Sequence, residues 1–329
     1  MVRKPALRPV VWQPPAAPPR GEVTPRSVRV LPVGGTGPED VLVDSTGRVL
    51  TGVADGRILR LDPVSGAVVT LGDTGGRPLG LEWLPDGALL VCDAHRGLLR
   101  LDLRSGRLDV LVRDVAGTPM RFCNNAAVAP DGTIYFTDSS RRFGIEHWRG
   151  DILEHSGTGR LLRRAPGGDV TMLLDSLQFA NGVALAADGS WVAVAETGSY
   201  RVLRCWLTGE RAGRAEPLVD GLAGFPDNIS TGPDGLVWIT LASPRNPTLD
   251  RLHALPPLLR RIAWSLPQAL LPEPERSLHV IAVDGTGTVV HDLHGPADAY
   301  HFVTGVREHH GAVYLGSLEE SAVAILELP

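Results

Sequence analysis

The chain is poor in lysine, in aromatic residues and in cysteine. Lys4 is its single lysine beside 31 arginines, so the rest of the sequence offers no amine for a Schiff base and no lysine for a phosphate-binding loop. Gly34–Gly37 is rich in glycine but precedes no predicted helix, and no Gly-x-Ser-x-Gly nucleophile elbow joins a strand to a helix. No apolar run approaches the roughly 20 residues of a membrane-spanning helix.

The charged residues are spread along the chain. The net charge is −5 at pH 7, and no basic patch supports nucleic-acid binding. Residues 1–25 are rich in proline and lack the apolar core of a secretory signal, which predicts an extended, partly disordered surface arm on a cytoplasmic protein. Cys92, Cys123 and Cys205 lie far apart beside apolar segments and are predicted to be buried free thiols.

Turn residues are abundant and recur in a regular order. The 329 residues include 38 glycines and 27 prolines, and a turn ending in glycine precedes a short apolar run six times. The turn glycines are Gly47, Gly87, Gly132, Gly189, Gly235 and Gly311, at intervals of 40, 45, 57, 46 and 76 residues. A four-stranded propeller blade takes about 40–45 residues. The sequence therefore predicts an all-β fold, a six-bladed β-propeller over residues 26–329.

Two further segments complete the predicted ring. Arg26–Leu31 is expected to close it by pairing with the last strand near Ala322–Leu328, because a propeller has no covalent closure. Apolar residues at helical spacing, broken by prolines, predict one or two short helices at about residues 246–277. Such helices either pack on the rim or form a lid over the channel mouth.

Oxygen-bearing side chains recur at one fixed distance from these turns. The residues eight positions before the turn glycines are Glu39, Leu79, Asn124, Asn181, Asp227 and Val303. The innermost strand of each blade lines the central channel, so equivalent positions should lie at one height around its axis. Four oxygen donors would then converge, and a cation would offset the cost of burying them.

Donors of this kind favour Ca²⁺ over Zn²⁺, because the set contains oxygen but neither histidine nor cysteine. Ca²⁺ takes about 6–8 oxygen ligands, which leaves positions for water or substrate, as a Lewis-acid site requires. Two simpler interpretations stay open from the residues alone: a metal that only holds the blades together, and a metal-free core of hydrogen bonds.

Motifs around these positions carry a family resemblance. They are Phe122–Asn125, Pro130–Ser140, Phe179–Gly182, Ala195–Thr197 and Phe225–Ile229. They resemble the strictosidine synthase-like proteins, which belong with the gluconolactonase (senescence marker protein), paraoxonase and diisopropyl fluorophosphatase propellers. The resemblance covers about residues 30–329 and implies a six-bladed calcium propeller. It maps the metal ligands onto Glu39, Asn124, Asn181 and Asp227, and the likeness to paraoxonases adds Asn228.

The chain departs from that pattern at two positions. Strictosidine synthase resembles this chain in the region of Thr304, but its catalytic glutamate falls at the position where this chain has the threonine. A Pictet–Spengler condensation is therefore not expected. Asn125 stands where many relatives have aspartate.

The general base is predicted in the loops that follow the second strand of each blade. His95 is the first candidate, because an imidazole pKa near 6.5 suits proton transfer at neutral pH and because it lies close to the position of the paraoxonase histidine. A rim histidine in contact with solvent is the alternative. Asp227 is the second candidate, since a metal-bound carboxylate can attack or accept a proton. Other rim candidates are Asp93, Asp138, Ser139, Ser140, His147, His155, Glu196, Thr197, Ser243, His301 and Glu319.

The function implied by the resemblance is that of a Ca²⁺-dependent hydrolase of lactones or aryl esters, with phosphotriesters as a further substrate class. The expected partner is a small-molecule ester or lactone. The alternatives are a propeller that binds a ligand or partner without turnover, and a strictosidine synthase-like condensing enzyme.

Overall fold

The strands form six four-stranded antiparallel sheets, arranged as the blades of a propeller. The structure is a computed structural model and describes residues 4–19, 25–267 and 273–328. The first strand of each blade contacts the first strand of the next, so six inner strands surround a central channel. The predicted six-bladed all-β fold is confirmed.

Strands are numbered in chain order, beginning with β1 at Arg29–Pro32. From the channel outward, blade 1 contains Val41–Val43 (β2), Val49–Gly52 (β3), Arg57–Leu61 (β4) and Val68–Asp73 (β5), and blade 2 contains Pro78–Trp83 (β6), Leu89–Asp93 (β7), Gly97–Leu101 (β8) and Leu108–Val112 (β9). A small ribbon follows, made of Asp114–Val115 (β10) and Thr118–Pro119 (β11). Blade 3 contains Cys123–Val128 (β12), Ile134–Asp138 (β13), Gly159–Arg164 (β14) and Val170–Leu177 (β15).

The second half of the ring follows the same order. Blade 4 contains Ala180–Leu185 (β16), Trp191–Glu196 (β17), Arg201–Trp206 (β18) and Ala215–Val219 (β19), and blade 5 contains Gly224–Thr231 (β20), Val237–Pro244 (β21), Leu278–Val283 (β22) and Val289–Gly295 (β23). Blade 6 contains Val303–His309 (β24), Ala312–Ser317 (β25) and Ala322–Glu327 (β26), and β1 is its outermost strand.

The recurring Asp-Gly turns have a local cause. In blade 3, Asp131 Oδ1 accepts a hydrogen bond from the Thr133 backbone N–H at 2.8 Å, which stabilises the turn. Gly132 has a φ of +86°, a conformation that glycine adopts without steric cost. The same aspartate contact occurs in blade 2, where the Ala88 N–H donates to Asp86 at 3.0 Å.

The ring is closed by pairing between the two ends of the chain. β1 pairs with β26 in antiparallel register, with Val30 opposite Ala324, as predicted. Neighbouring blades pack closely near the channel: a Cβ added at Gly182 would lie 2.2 Å from the backbone nitrogen of Ile229. The three cysteines are buried and free, also as predicted.

Within the described residues, three α-helices lie outside the blades. They are Trp148–Glu154 (α1), Pro247–Ala254 (α2) and Pro257–Ser265 (α3), with short 3-10 turns at Ile145–His147, Thr197–Ser199 and Gly209–Arg211. α2 and α3 confirm the predicted helical insertion, of which residues 268–272 lie outside the described part. α1 was not predicted. No helix in the described part of the chain is both long and apolar enough to cross a membrane.

The N-terminal arm runs across these helices. The backbone N–H of Val10 donates to the carbonyl of Glu154 in α1 at 2.9 Å, and that of Trp12 donates to the carbonyl of His253 in α2 at 3.0 Å. The indole N–H of Trp264 in α3 donates to the carbonyl of Pro5 at 2.8 Å. We call α1, α2, α3 and arm residues 4–19 the cap. Residues 1–3 and 20–24 of the predicted arm lie outside the described part.

Candidate metal centre

The innermost strand is bulged at the same level in five blades. In blade 3, Cys123 pairs with Asp138 and Ala126 pairs with Phe136, so Asn124 and Asn125 together face one residue of the next strand. Equivalent bulges interrupt β6, β16, β20 and β24. A bulge redirects the side chains of its strand. The first residue of each bulge lines the channel cavity; these are Leu79, Asn124, Asn181, Asp227 and Thr304.

In blade 6, the bulge shows that the residue equivalent to the predicted ligands is not the one obtained by counting from the turn. Counting back from the turn selected Val303, but Thr304 is the first bulged residue of β24. The hairpin of blade 6 is tight, since only His310 and Gly311 separate its strands. A shorter turn shifts the count by one residue. Thr304 donates a 2.6 Å hydrogen bond to the Glu39 carbonyl and so supports the ligand of blade 1.

Five side-chain oxygens at the channel floor have no hydrogen-bond partner among the described residues. Each of these atoms is buried. They are Glu39 Oε2, Asn124 Oδ1, Asn181 Oδ1, Asp227 Oδ1 and Asn228 Oδ1. A buried acceptor without a donor costs about 1–3 kcal/mol, and such groups are rare in native proteins. The five oxygens are those of the five predicted metal ligands.

Neighbouring hydroxyl groups orient the amide oxygens of Asn124 and Asn181 toward the channel. The amide of Asn124 donates to Ser139 Oγ at 2.9 Å, and the amide of Asn181 donates to Thr197 Oγ1 at 3.1 Å. Because the NH₂ end of each amide is held from behind, its carbonyl end faces the axis. Ser139 and Thr197 were predicted only as rim residues; their place directly after the second strand is the signal that marks them.

Asn228 lies in the second position of its bulge and points to blade 1. Its amide donates to Glu39 Oε1 at 3.0 Å, while Glu39 Oε2 and Asn228 Oδ1 have no partners. Asn125, its counterpart in blade 3, accepts from the Val183 N–H at 2.9 Å and is therefore satisfied. The side-chain oxygen of Asn228 thus remains available to bind a metal, whereas Asn125 links two blades by hydrogen bonds.

The electrostatics of the floor favour a bound cation. Burial raises the pKa of Glu39 well above its usual value, and Asp227 and Asp40 raise it further while Arg77 opposes them. Burial also raises the pKa of Asp227 to about 7. A divalent cation between these carboxylates would favour their ionised forms. The donor set contains only oxygen, which suits Ca²⁺.

An apolar cavity of about 320 Å³ lies above this floor. Four of the predicted ligands form its base: Glu39, Asn124, Asn181 and Asp227. Its walls include Phe122 and Phe179, whose rings meet edge to face at 5.4 Å, together with Trp148 and Phe302. α2 roofs it through Leu249 and Leu252. The predicted helices therefore cover the channel mouth.

His95 is placed apart from this cavity and is not among its lining residues. Its side chain is 45% exposed, and Nε2 lies 2.7 Å from Glu146 Oε1 in the 3-10 turn before α1. The contact ties blade 2 to the turn that precedes α1. The proposed role of His95 as general base stays a prediction without support from its position.

Other rim candidates make structural contacts. Asp138 forms a buried ion pair with Arg160 at 2.9 Å. Glu196 is paired with Arg201 at 2.5 Å. His301 Nδ1 lies 2.5 Å from Glu320 Oε1.

An oxygen-lined channel under an apolar cavity defines the class of this protein as a six-bladed propeller with a candidate divalent-metal centre. Family models for strictosidine synthase and for the N-terminal region of strictosidine synthase-like proteins match residues 124–210 and 26–61. The chain is 33% identical to the adipocyte plasma membrane-associated protein of Rattus norvegicus, covering 89% of this chain and 83% of the relative. It is 34% identical to strictosidine synthase-like protein 6 of Arabidopsis thaliana, covering 88% and 79%. The chain belongs to the strictosidine synthase-like family.

Solved structures share the fold over nearly the whole chain. A gluconolactonase from Xanthomonas campestris superposes with a TM-score of 0.68 at 17% identity, covering 100% of this chain and 99% of the other. The calcium-binding protein regucalcin from Agrobacterium tumefaciens superposes with a TM-score of 0.66 at 16% identity, covering 94% and 96%. At such identities the likeness establishes the fold alone.

Proposed function

We propose that this protein is a Ca²⁺-dependent hydrolase of lactones or aryl esters. One observation carries the proposal: five buried side-chain oxygens without partners converge at the floor of an apolar cavity. Glu39, Asn124, Asn181, Asp227 and Asn228 would hold the ion. Five protein oxygens leave room in a calcium shell of about 6–8 ligands.

Bound Ca²⁺ would act as a Lewis acid that stabilises negative charge on the oxygen of the attacked carbonyl. Asp227 lines the cavity. Its Oδ1, which has no partner, would bind the ion, and its second carboxylate oxygen is left to accept a proton. We therefore assign that second oxygen as proton acceptor for the attacking water. The water oxygen bonds to the carbonyl carbon, the ester C–O bond breaks, and the proton passes from Asp227 to the leaving oxygen. Asn124 and Asn181 stay fixed throughout, because Ser139 and Thr197 hold their amides.

The cavity supports an apolar acyl or aryl group in the substrate. Its walls are mostly aromatic and aliphatic. Apart from Glu39 and Asp227, its charged lining residues are Arg149 of α1, Arg245 before α2, and Glu273 and Glu275 after α3. Phosphotriesters with apolar substituents meet the same requirements. Thr304 occupies the wall position where a condensing enzyme of this family would need a carboxylate, and its hydroxyl is already bonded to Glu39, so hydrolysis is favoured over condensation.

The test is turnover of phenyl acetate and of a panel of γ- and δ-lactones, in Ca²⁺ and in chelator. We expect hydrolysis that the chelator abolishes and that added Ca²⁺ restores. Equal turnover in chelator would contradict the metal role. A clear Ca²⁺-induced rise in Tm without turnover on any substrate would instead support a ligand-binding propeller. Cytoplasmic location stays a prediction.

A further inference from the structure

Three metal-ligating side chains meet on the outer half of blade 5, away from the channel. β22 and β23 are the third and fourth strands of that blade. His279 of β22 lies directly opposite His294 of β23 in the antiparallel ladder. Asp292 lies two residues before His294 and therefore on the same face of the sheet. Residues directly opposite each other have Cβ atoms about 4.5–5.5 Å apart, so the three side chains can reach one point.

Their donor atoms already converge. His279 Nε2 lies 2.8 Å from Asp292 Oδ1, and His294 Nε2 lies 3.0 Å from the same oxygen. The two imidazole rings stack with centroids 3.9 Å apart at 22°, which directs both Nε2 atoms to one side. All three donor atoms lie within 4.8 Å of one another.

The side chains combine restricted mobility with access to solvent. Those of His279 and His294 are 16% and 23% exposed, and that of Asp292 is 58% exposed. An ion can therefore reach the carboxylate from solvent, while the pairing of the two strands holds both imidazole rings beside it.

We propose that His279, Asp292 and His294 form a second metal site, specific for a transition metal such as Zn²⁺. Two imidazole nitrogens and one carboxylate oxygen suit Zn²⁺ and not Ca²⁺. The ion would replace the protons that the two Nε2 atoms share with Asp292. Ligand atoms on tetrahedral zinc, with bonds of about 2.0–2.2 Å, lie roughly 3.3 Å apart, so the cluster needs to open only slightly.

The site is independent of the channel centre in both place and chemistry. Three protein ligands leave a position for water or another group. The carbonyl of His294 accepts a hydrogen bond from the Arg26 N–H at 2.8 Å, just before the closing strand β1. Zn²⁺ would therefore hold β22 and β23 together next to the segment that leads into the closing strand β1. Its binding should raise the thermal stability of the whole propeller.

The test is titration of untagged, Ca²⁺-saturated protein with Zn²⁺ alone, followed by calorimetry and by thermal unfolding. We expect one Zn²⁺ per chain and a rise in Tm. His279→Ala and His294→Ala should each weaken binding at least about tenfold, since loss of even a supporting partner of a metal ligand costs about 10–100-fold. Asp292→Asn keeps the shape of the side chain and should weaken binding similarly. Ca²⁺ binding should be unchanged in all three.

Matched controls remove histidines elsewhere. His291→Ala acts on the same strand at the opposite face, where its ring stacks on Trp238. The double variant His309→Ala/His310→Ala removes another adjacent histidine pair. Both controls should bind Zn²⁺ as the wild type does. Absence of Zn²⁺ binding by the wild type, or loss of binding only with the His309/His310 pair removed, would overturn the proposal. Spectra of bound Co²⁺ that lack imidazole ligation would do the same.

Discussion

The channel floor and the cap are built in opposite ways. The floor uses equivalent positions of four blades, on or directly before an inner strand that is hydrogen-bonded within its own sheet. The cap joins segments that are far apart in sequence: Arg260 donates to the Val10 carbonyl across 250 residues. The floor leaves five buried oxygens without partners, whereas the buried atoms without partners in the described cap are guanidinium nitrogens, Arg149 Nη1 and Arg260 Nε. The difference indicates that the floor suits a cation, which the cap does not.

Arg260 makes the contacts that join the parts of the cap. Its side chain is fully buried, and it donates to the carbonyls of Leu153 at 3.0 Å and of Val10 at 2.7 Å. It also contacts His253 Nδ1 at 3.2 Å. One side chain thus holds the arm, α1 and α2 together.

The largest effect is expected at the floor. Asp227→Asn should lower hydrolysis at least about 10²-fold, because loss of one group that stabilises or relays charge typically costs 10²–10³. The Ca²⁺-induced rise in Tm should disappear as well. Without metal the variant should be at least as stable as the wild type, because a buried carboxylate near Glu39 has become neutral.

Activity assays and thermal unfolding with and without Ca²⁺ measure both effects. Asp234→Asn is the matched control, since Asp234 lies in the exposed turn of the same blade and its Oδ1 accepts from the Leu236 N–H. Retention of the Ca²⁺ response in Asp227→Asn would show that the residue is not a ligand.

The second effect is expected in the cap. Arg260→Met should lower the free energy of unfolding by about 2–3 kcal/mol, because buried carbonyls lose their donors. Ca²⁺ affinity should not change, since the floor is untouched. Denaturant unfolding and Ca²⁺ titration separate the two quantities. Arg261→Met, on the exposed side of the same helix, should be close to neutral. A matching loss of Ca²⁺ affinity in Arg260→Met would mean that floor and cap are coupled.

The smallest effect concerns pH. Burial lowers the pKa of both His155 and His253 to about 3. Below about pH 6.5 the unfolded chain therefore binds more protons than the folded one, and stability falls as the pH falls. Each histidine should cost about 1.4 kcal/mol between pH 7.5 and pH 5.5.

His155→Phe should remove about half of this pH dependence. It keeps an aromatic ring against Trp12, whose centroid lies 4.0 Å away, and loses no hydrogen bond at Nδ1. His310→Phe is the control, because His310 is exposed and has a φ of +51° against +52° for His155. Unfolding at the two pH values measures the difference; an unchanged slope in His155→Phe would contradict the buried neutral state.

The sequence predicted the floor better than the cap. The distance from turn to ligand is local and repeats with each blade, so Asn124, Asn181 and Asp227 could be found by counting. The count missed Thr304 because the bulge and a shorter hairpin lie between it and the turn. α1 escaped prediction because a helix of seven residues carries too little periodicity. His95 was chosen for its chemistry, but the direction of its side chain depends on Glu146, 51 residues away.

By itself, the sequence determined the number of blades and four of the five oxygen donors, because both follow from a repeat of turn and strand that is local to each blade. Only the tertiary structure decided which way those oxygens point, through inner-strand bulges and the hydroxyls of Ser139 and Thr197. The tertiary structure alone also decided which segments cover these oxygens. It brought two histidines and an aspartate together on blade 5. Such arrangements arise from contacts between segments that are far apart in sequence, and a local sequence pattern does not predict how those segments align.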